Sequence, residues 1–281
     1  MNPASAAQAA AALRDLDRDR YFATLVVPAS ARDAVTALFA FAAEIAAIRE
    51  RVRDPMAGEI RLQWWRDALS GQGHGEVRQN PIADCVLSAI DQHGLPTHPL
   101  LQLIEARRFD LYQDPMPDLE AFEGYAGETV SVLHQLAALI VGGGEAAAAA
   151  DAAGHLGVAQ ALVGHLGAFG YNAARGRVFL PVSVLTANGV PLEQVLAGEA
   201  SPGLLAARAQ WLDLAVDHAA KAKHAIRRLP PSLRSPFAAA ALLPAQLRRL
   251  AAAQDLPFSP APELADWSKI ARLVWAAWRG V

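Results

Sequence analysis

The sequence predicts an all-α fold in a single domain, and three observations lead to this prediction. Hydrophobic residues make up 53% of the 281 residues, and many of them are alanine, the residue with the highest intrinsic helix propensity. Apolar side chains recur at helical spacing, while the β-branched and aromatic runs typical of strands are scarce. No fixed-period repeat or linker divides the chain, so one domain is expected over 1–281, with its core at about 15–280.

Prolines, glycines and capping residues set the predicted helix ends in the first half of the chain. After an alanine-rich helix over 3–16, Ser30 and Asp33 fit a capping box at the start of the next helix. That helix should stop before Pro55, because proline disfavours α conformation in the residue before it, and Gly58 completes the break. Further helices are predicted over 60–69, 82–93, 100–112, 119–125 and 128–141.

In the second half of the chain, the sequence predicts longer helices around one loop. A triple glycine at 142–144 precedes an alanine-rich helix, and a loop with an apolar patch covers 175–181. Ser235 is the expected N-cap of a helix whose first position is proline, which has no N–H to leave unpaired there. A proline-rich segment at 257–262 precedes the last helix. The predicted helices cover 146–168, 184–188, 192–197, 204–228, 236–253 and 267–278.

Charge and composition exclude several classes of function. The net charge is −3, so no extended basic face is implied and nucleic acid is not an expected partner. Cys85 is the only cysteine, which rules out an internal disulfide, and its apolar surroundings predict a small buried side chain. Neither a signal peptide nor an uninterrupted apolar run of about 18 residues is visible. A cytoplasmic protein is expected, with at most peripheral contact with a membrane.

Three segments, in this order and spacing, resemble the squalene/phytoene synthase family. They are Arg-Tyr-Phe at 20–22, Arg-Leu-Gln-Trp-Trp-Arg-Asp-Ala-Leu at 61–69 and Arg-Gly-Arg-Val-Phe-Leu-Pro at 175–181. Glu44-Ile45 and a Leu-Leu-Pro-Ala segment at 242–245 fit as well. The resemblance implies the isoprenoid synthase fold, a single-domain bundle of antiparallel helices around a central apolar cavity. It also implies two Asp-rich motifs on facing helices, which together hold the magnesium ions that neutralise a diphosphate leaving group.

Most of the carboxylates that this family would use are missing. Without gaps, the first motif falls on 46–50, where only Glu50 is acidic, and the second falls on 168–172, where Asn172 offers a neutral carbonyl. One carboxylate cannot assemble a cluster of several magnesium ions. No cofactor is therefore expected. If the chain is an enzyme, Mg²⁺ would be its cofactor and Glu50 the metal ligand. The guanidinium group of Arg49 would supply part of the positive charge that the metal brings, but at a fixed position.

The degenerate motifs leave three hypotheses open. The first is a scaffold or an isoprenoid- or lipid-binding protein without catalysis, because the pattern resembles the phytoene-synthase-like assembly factors of respiratory complex I. The resemblance then implies respiratory-complex subunits as partners, with a location peripheral to the inner membrane. The second is a magnesium-dependent prenyltransferase that condenses or processes farnesyl or geranylgeranyl diphosphate. The third is an unrelated helical function.

The candidate site residues each have a functional and a purely structural interpretation. Glu50 binds magnesium or a polar ligand, or it pairs with Arg53 or Arg20. Arg175 and Arg177 suit a phosphate or an anionic head group, or they belong to a solvated loop held by charge pairs. The full set of ligand-binding candidates is Tyr21, Glu50, Arg53, Gln63, Trp65, Arg66, Asp67, Tyr125, Asn172, Arg175 and Arg177.

The remaining candidates depend on helix geometry. Tyr21 and Tyr125 place hydroxyls at the cavity mouth or are buried with ordinary partners. Arg66 and Asp67 project about 100° apart on a helix, so they are expected to pair with other helices. Trp64 and Trp65 cannot both face one core, so one lines the cavity or the surface. The glycines at 164, 167 and 170 suggest a close helix approach or a wide cavity wall.

Overall fold

The computed structural model describes residues 1–261 and 263–280, and within them the chain is helical with no strand. Pro262, the last residue of the predicted proline-rich segment, and Val281, the last residue of the predicted domain, lie outside the described residues. The helices are α1 Pro3–Leu16, α2 Arg18–Thr24, α3 Ala29–Arg51, α4 Pro55–Leu69, α5 Pro81–His93, α6 His98–Arg107, α7 Leu119–Ala126, α8 Val132–Gly142, α9 Ala150–Gly167, α10 Phe169–Ala173, α11 Val182–Ala187, α12 Leu192–Leu196, α13 Pro202–Arg228, α14 Leu243–Ala252 and α15 Asp266–Trp278. The predicted all-α fold is confirmed.

Two large apolar clusters form the core of the bundle. In the first half of the chain, α3 packs against α1, α5 and α8 around fully buried side chains such as Leu38 and Phe41, and Cys85 is buried there as predicted. In the second half, α9 packs along α13 around Leu156 and Trp211. A third, smaller cluster lies between α2, α15 and the 3₁₀ segment Ser235–Ala241.

One predicted helix cap and one predicted helix start in the first half of the chain are wrong. Helix α3 begins at Ala29, and no side chain caps it, so Ser30 and Asp33 form no capping box. Helix α4 begins at Pro55, because the Asp54 side chain accepts the Met56 N–H at 2.8 Å and proline suits the first turn. Gly58 therefore lies inside α4, where its bare Cα faces the Leu111 side chain.

The helix predicted over 236–253 is two elements. Residues 235–241 form a 3₁₀ segment, and Ser235 is not a cap, since its buried hydroxyl makes no hydrogen bond to any described residue. Helix α14 begins at Leu243 with Pro244 in its first turn. A continuous helix would lose the hydrogen bond that the missing Pro244 N–H cannot donate, so the break falls there.

One helical stretch, Leu119–Gly167, is long and apolar enough by length and composition to cross a membrane, although none was expected from the sequence. It comprises α7, α8, α9 and the short helical segments between them. Gly143 has φ +54°, a value outside the right-handed helical region, so the stretch is not one straight helix. Its two long parts pack against each other in the core.

Candidate functional site

The two segments aligned with the Asp-rich motifs face each other across the bundle. Residues 46–50 form the end of α3, and 168–172 lead into and form α10. The Tyr171 hydroxyl donates to Glu50 Oε2 at 2.7 Å, and Arg49 Nη2 donates to Asn172 Oδ1 at 3.2 Å. The geometry expected from the family resemblance is therefore present, with different side chains in it.

The Glu50 carboxylate already forms ion pairs and a hydrogen bond within its own chain. Its Oε1 atom lies 2.9 Å from Arg49 Nε and 2.9 Å from Arg177 Nη1, in addition to the bond from Tyr171. Burial alone raises the pKa of the Glu50 carboxyl, but the Tyr171 bond and the Arg177 and Arg49 charges together lower this pKa below its ordinary value. The two partners considered for Glu50 from the sequence were wrong: Arg20 pairs with Asp17, and Arg53 forms no ion pair with a described residue.

Magnesium does not fit this arrangement. Two guanidinium groups already neutralise Glu50, and Asn172 accepts a bond from one of them, so a divalent cation would meet two fixed positive charges. Residues 1–261 and 263–280 contain no group of three or more His, Cys, Asp or Glu side chains placed to hold a metal. The described residues therefore offer no carboxylate cluster that could hold several magnesium ions.

A second polar network is built around Asp110, a buried acid near the motif segments. Asp110 is 4% exposed; its Oδ1 accepts from the Tyr125 hydroxyl at 2.8 Å and its Oδ2 from Arg107 Nη1 at 2.9 Å. Arg107 Nη1 also donates to the Tyr125 oxygen at 2.7 Å. Burial raises the pKa of the Tyr125 hydroxyl, which therefore stays protonated. Asp110 is committed to this network and adds no free carboxylate beside Glu50.

The pocket beside the second motif segment is small because aromatic side chains fill it. Its volume is about 10 Å³, between α9, α10, α13 and the 177–180 segment. His165 stacks on Phe179 at a ring distance of 4.0 Å, and Phe122 meets Trp211 at 4.5 Å. Such a space holds about one water molecule, so an isoprenoid chain could enter only if these rings moved.

An open cleft of about 390 Å³ adjoins the motif segments and is rich in arginine. Its acids are Asp54 and Asp110. Asp54 accepts a bond from the Met56 N–H and caps α4. Arg53 forms no ion pair with a described residue, and Arg175 packs over the Tyr171 ring at 3.6 Å. Four arginines line the cleft: Arg49, Arg53, Arg175 and Arg177.

The remaining candidates lie away from this cleft. Arg66 on α4 pairs with Glu105 on α6, as expected of an interhelical contact. The same expectation was wrong for Asp67, which accepts from Gln63 on its own helix at 2.7 Å. Trp65 is 4% exposed and packs in the N-terminal core.

Tyr21 and the three glycines at 164, 167 and 170 do not line the arginine-rich cleft. Tyr21 packs beside Phe22 in α2. Gly170 allows a close approach, since a Cβ there would lie 2.2 Å from the Phe258 carbonyl oxygen. Gly164 and Gly167 line an open pocket of about 520 Å³, which fits the predicted cavity wall. Sequence reasoning missed Tyr171, although its place inside the second motif segment could have indicated it.

The helical bundle has the fold of the squalene synthases. The chain superposes on a dehydrosqualene synthase in complex with ligand with a TM-score of 0.84 and 16% identity, covering 98% of this chain and 96% of that one. Squalene synthase HpnC from Alicyclobacillus acidocaldarius matches with a TM-score of 0.67 and 20% identity, covering 99% of this chain and 94% of that one. The family model for squalene/phytoene synthase matches residues 13–279. The chain belongs to the squalene/phytoene synthase family.

Relatives within the family carry names that refer to respiratory complex I. "NADH dehydrogenase (ubiquinone) complex I, assembly factor 6" of Bos taurus is 32% identical over 184 residues, covering 66% of this chain and 55% of that protein. The Homo sapiens protein of the same name is 31% identical over the same shares. A homologue from Drosophila melanogaster is 26% identical and covers 92% of this chain and 79% of that protein. The chain therefore spans little more than half the length of the mammalian relatives.

Proposed function

We propose that this protein is a non-catalytic member of the squalene/phytoene synthase family that acts as a scaffold in the assembly of respiratory complex I. One observation carries the proposal. The carboxylate that remains in the motif segments, Glu50, is neutralised by Arg49 and Arg177 and bonded by Tyr171. Ionisation of an allylic diphosphate needs mobile cations at the leaving oxygens, and this site offers fixed guanidinium groups instead. The names of the relatives supply complex I as the partner.

The arginine cleft supports binding of an anionic group without catalysis. Arg53 and Arg175 face the cleft without an ion pair to a described residue, and Arg49 Nη1 is buried without a hydrogen-bond partner there. Guanidinium groups bind phosphate oxygens through paired N–H donors. A phosphorylated isoprenoid or a lipid head group is the ligand that this chemistry favours, with Glu50, Asn172, Arg175 and Arg177 at the edge of its site. The predicted cytoplasmic location, peripheral to a membrane, stays a prediction.

Two measurements test the proposal, one on the purified protein and one in the source organism. The purified protein, incubated with Mg²⁺ and farnesyl or geranylgeranyl diphosphate, should release no diphosphate above the background without protein. Deletion of the gene in its source organism should leave isoprenoids intact and reduce NADH:quinone oxidoreductase activity. A Glu50→Gln gene should restore that activity, because no catalytic carboxylate is required, and Glu44→Gln serves as the matched control on the same helix.

The enzyme alternative predicts the opposite results. Magnesium-dependent release of diphosphate that is lost in Glu50→Gln and kept in Glu44→Gln would show a working prenyltransferase. Unchanged NADH:quinone oxidoreductase activity in the deletion strain would remove the assembly role.

A further inference from the structure

Helix α15 turns an unbroken apolar face to solvent. The exposed side chains of the helix itself are three tryptophans, an isoleucine, a valine and two alanines: Trp267, Ile270, Ala271, Val274, Trp275, Ala277 and Trp278. At about 100° per residue they cover roughly 160° of the helix circumference. Trp267 and Trp278 are 76% and 77% exposed. Surface helices place polar residues on this side, so folding of this chain does not explain the face.

Buried and polar contacts hold the other side of α15 against the bundle. Lys269 is 6% exposed, and its Nζ lies 2.6 Å from Asp19 Oδ1. Asp266, at the start of the helix, pairs with Arg18. Leu273 packs into the small apolar cluster formed with α2 and residues 235–241. The helix cannot roll its tryptophans inward without separating these ion pairs, so their exposure is part of the fold.

Positive charge collects at the C-terminal end of α15. Arg234 Nη1 donates to the carbonyl oxygen of Gly280 at 2.6 Å, and its Nη2 donates to that of Arg227 at 2.9 Å. These contacts join the end of α15 to the end of α13. Four arginines in this region form no ion pair with any carboxylate in the described part of the chain: Arg227, Arg228, Arg234 and Arg279.

We propose that α15 seats the protein on the surface of a lipid bilayer that contains anionic lipids. Tryptophan rings favour the head-group region, where one end is apolar and the other is wet. Uncompensated arginines attract anionic head groups. A helix of 13 residues is about 20 Å long, shorter than the roughly 30 Å hydrocarbon core, so it lies in the plane of the interface.

A membrane surface fits this face better than a protein does. Protein interfaces carry about one hydrogen bond per 100–200 Å², whereas the exposed side chains of this face offer no acceptor, and their only donors are the indole N–H groups of the three tryptophans. The polar groups of the helix lie at its borders and against the bundle. This inference does not depend on the role in complex I assembly, because it uses neither the motif segments nor the cleft.

Vesicle flotation of the full chain tests the proposal. The native protein should float with vesicles of equal parts phosphatidylcholine and phosphatidylglycerol, and its tryptophan emission should shift to shorter wavelength. A double variant, Trp267→Gln with Trp278→Gln, should weaken binding by about tenfold or more, because it removes two large apolar contacts. The matched control is Met56→Gln with Ile60→Gln, two side chains on α4 that are 65% and 66% exposed; it should bind like the native protein.

Several outcomes would overturn the proposal. Thermal unfolding of both double variants should match that of the native protein, since the replaced side chains are exposed, so a loss of binding is not a loss of fold. Failure of the native chain to float, or equal loss in both double variants, contradicts a specific membrane face. A lipid-free dimer that the tryptophan variant dissociates would assign the face to a second copy. Equal binding to pure phosphatidylcholine would remove the anionic requirement.

Discussion

At the scale of single residues, the important change is that an arginine stands beside the surviving acid. Arg49 reaches Glu50 through Nε and Asn172 through Nη2, and its guanidinium carbon lies 5.5 Å from the centre of the Phe179 ring. One side chain thus joins both motif segments and the aromatic wall of the cavity. The guanidinium provides the positive charge that a metal would otherwise bring, but it remains fixed in the fold.

Loss of the Glu50 carboxylate should destabilise the protein, because Arg49 and Arg177 are only 15% and 14% exposed in their side chains and would lose their anion. Glu50→Ala is expected to lower the free energy of unfolding by about 1–3 kcal/mol, measured by urea denaturation. Glu44→Ala breaks an ion pair with Arg51, which is 41% exposed, and should cost at most about 1 kcal/mol. Equal losses of unfolding free energy in the two variants would contradict the conclusion that Glu50 neutralises Arg49 and Arg177.

At the scale of elements, a close approach between two helical segments occurs at Gly157, which no pattern in the sequence indicates. A Cβ on Gly157 of α9 would lie 2.4 Å from the backbone N and Cα of Ser131, in the π-helical turn Gly127–Ser131. The sequence predicts a close helix approach or a wide cavity wall at 164, 167 and 170; Gly170 approaches the Phe258 backbone, whereas Gly164 and Gly167 line an open pocket of about 520 Å³. Helical periodicity marks glycine positions but not the partner across the contact.

Substitution of Gly157 should therefore separate α9 from residues 127–131. Gly157→Ala is expected to lower the free energy of unfolding by about 1–3 kcal/mol through overpacking, seen as a lower midpoint in thermal or urea unfolding. Gly164→Ala is the matched control in the same helix: with open space around it, alanine should stabilise by up to about 1 kcal/mol through helix propensity. A stable Gly157→Ala protein would show that the two elements can move apart.

At the scale of the whole molecule, a buried histidine couples stability to pH. His134 is 1% exposed, its Nε2 lies 2.7 Å from Gln160 Oε1, and its ring stacks on Phe237. Burial lowers its pKa from 6.5 to about 4. The folded protein holds this ring neutral, while the unfolded chain takes up a proton below pH 6.5. Stability is therefore full above that pH and falls as the pH drops towards 4.

The expected slope for His134 is up to about 1.4 kcal/mol per pH unit between its two pKa values. Burial also lowers the pKa of His165 to about 3 and lowers that of His218, so both add to the loss in the same direction. Urea unfolding measured between pH 6.5 and 4.5 should give a shallower slope for His134→Leu than for the native protein. This range lies above the ordinary pKa of Glu50, 4.5, whose stabilisation is lost only at lower pH. Equal slopes for the variant and the native protein would show that His134 does not contribute to the pH dependence of stability.

Much of the bundle and the pairing of the two motif segments could be predicted from the sequence. Helical spacing and proline positions placed the long helices, and the resemblance to the family placed the motif segments at 46–50 and 168–172 on facing helices. The same reasoning showed that Glu50 is the only acid in these segments. The sequence could not identify the partners of Glu50, because Arg49 and Arg177 are two of many arginines. Only the fold determines which arginines reach Glu50.

The sequence by itself determined the class of fold, the family and the deficit of carboxylates, because these depend on local periodicity and on residue identity. Only the tertiary structure decided which charges meet, how far the aromatic rings close the cavity and which face of α15 is exposed. An amphipathic helix can bury either side, and here the Lys269–Asp19 ion pair and the packing of Leu273 turn the tryptophans outward. Those contacts join residues about 250 positions apart in the chain, so their energy enters only when the whole chain has folded.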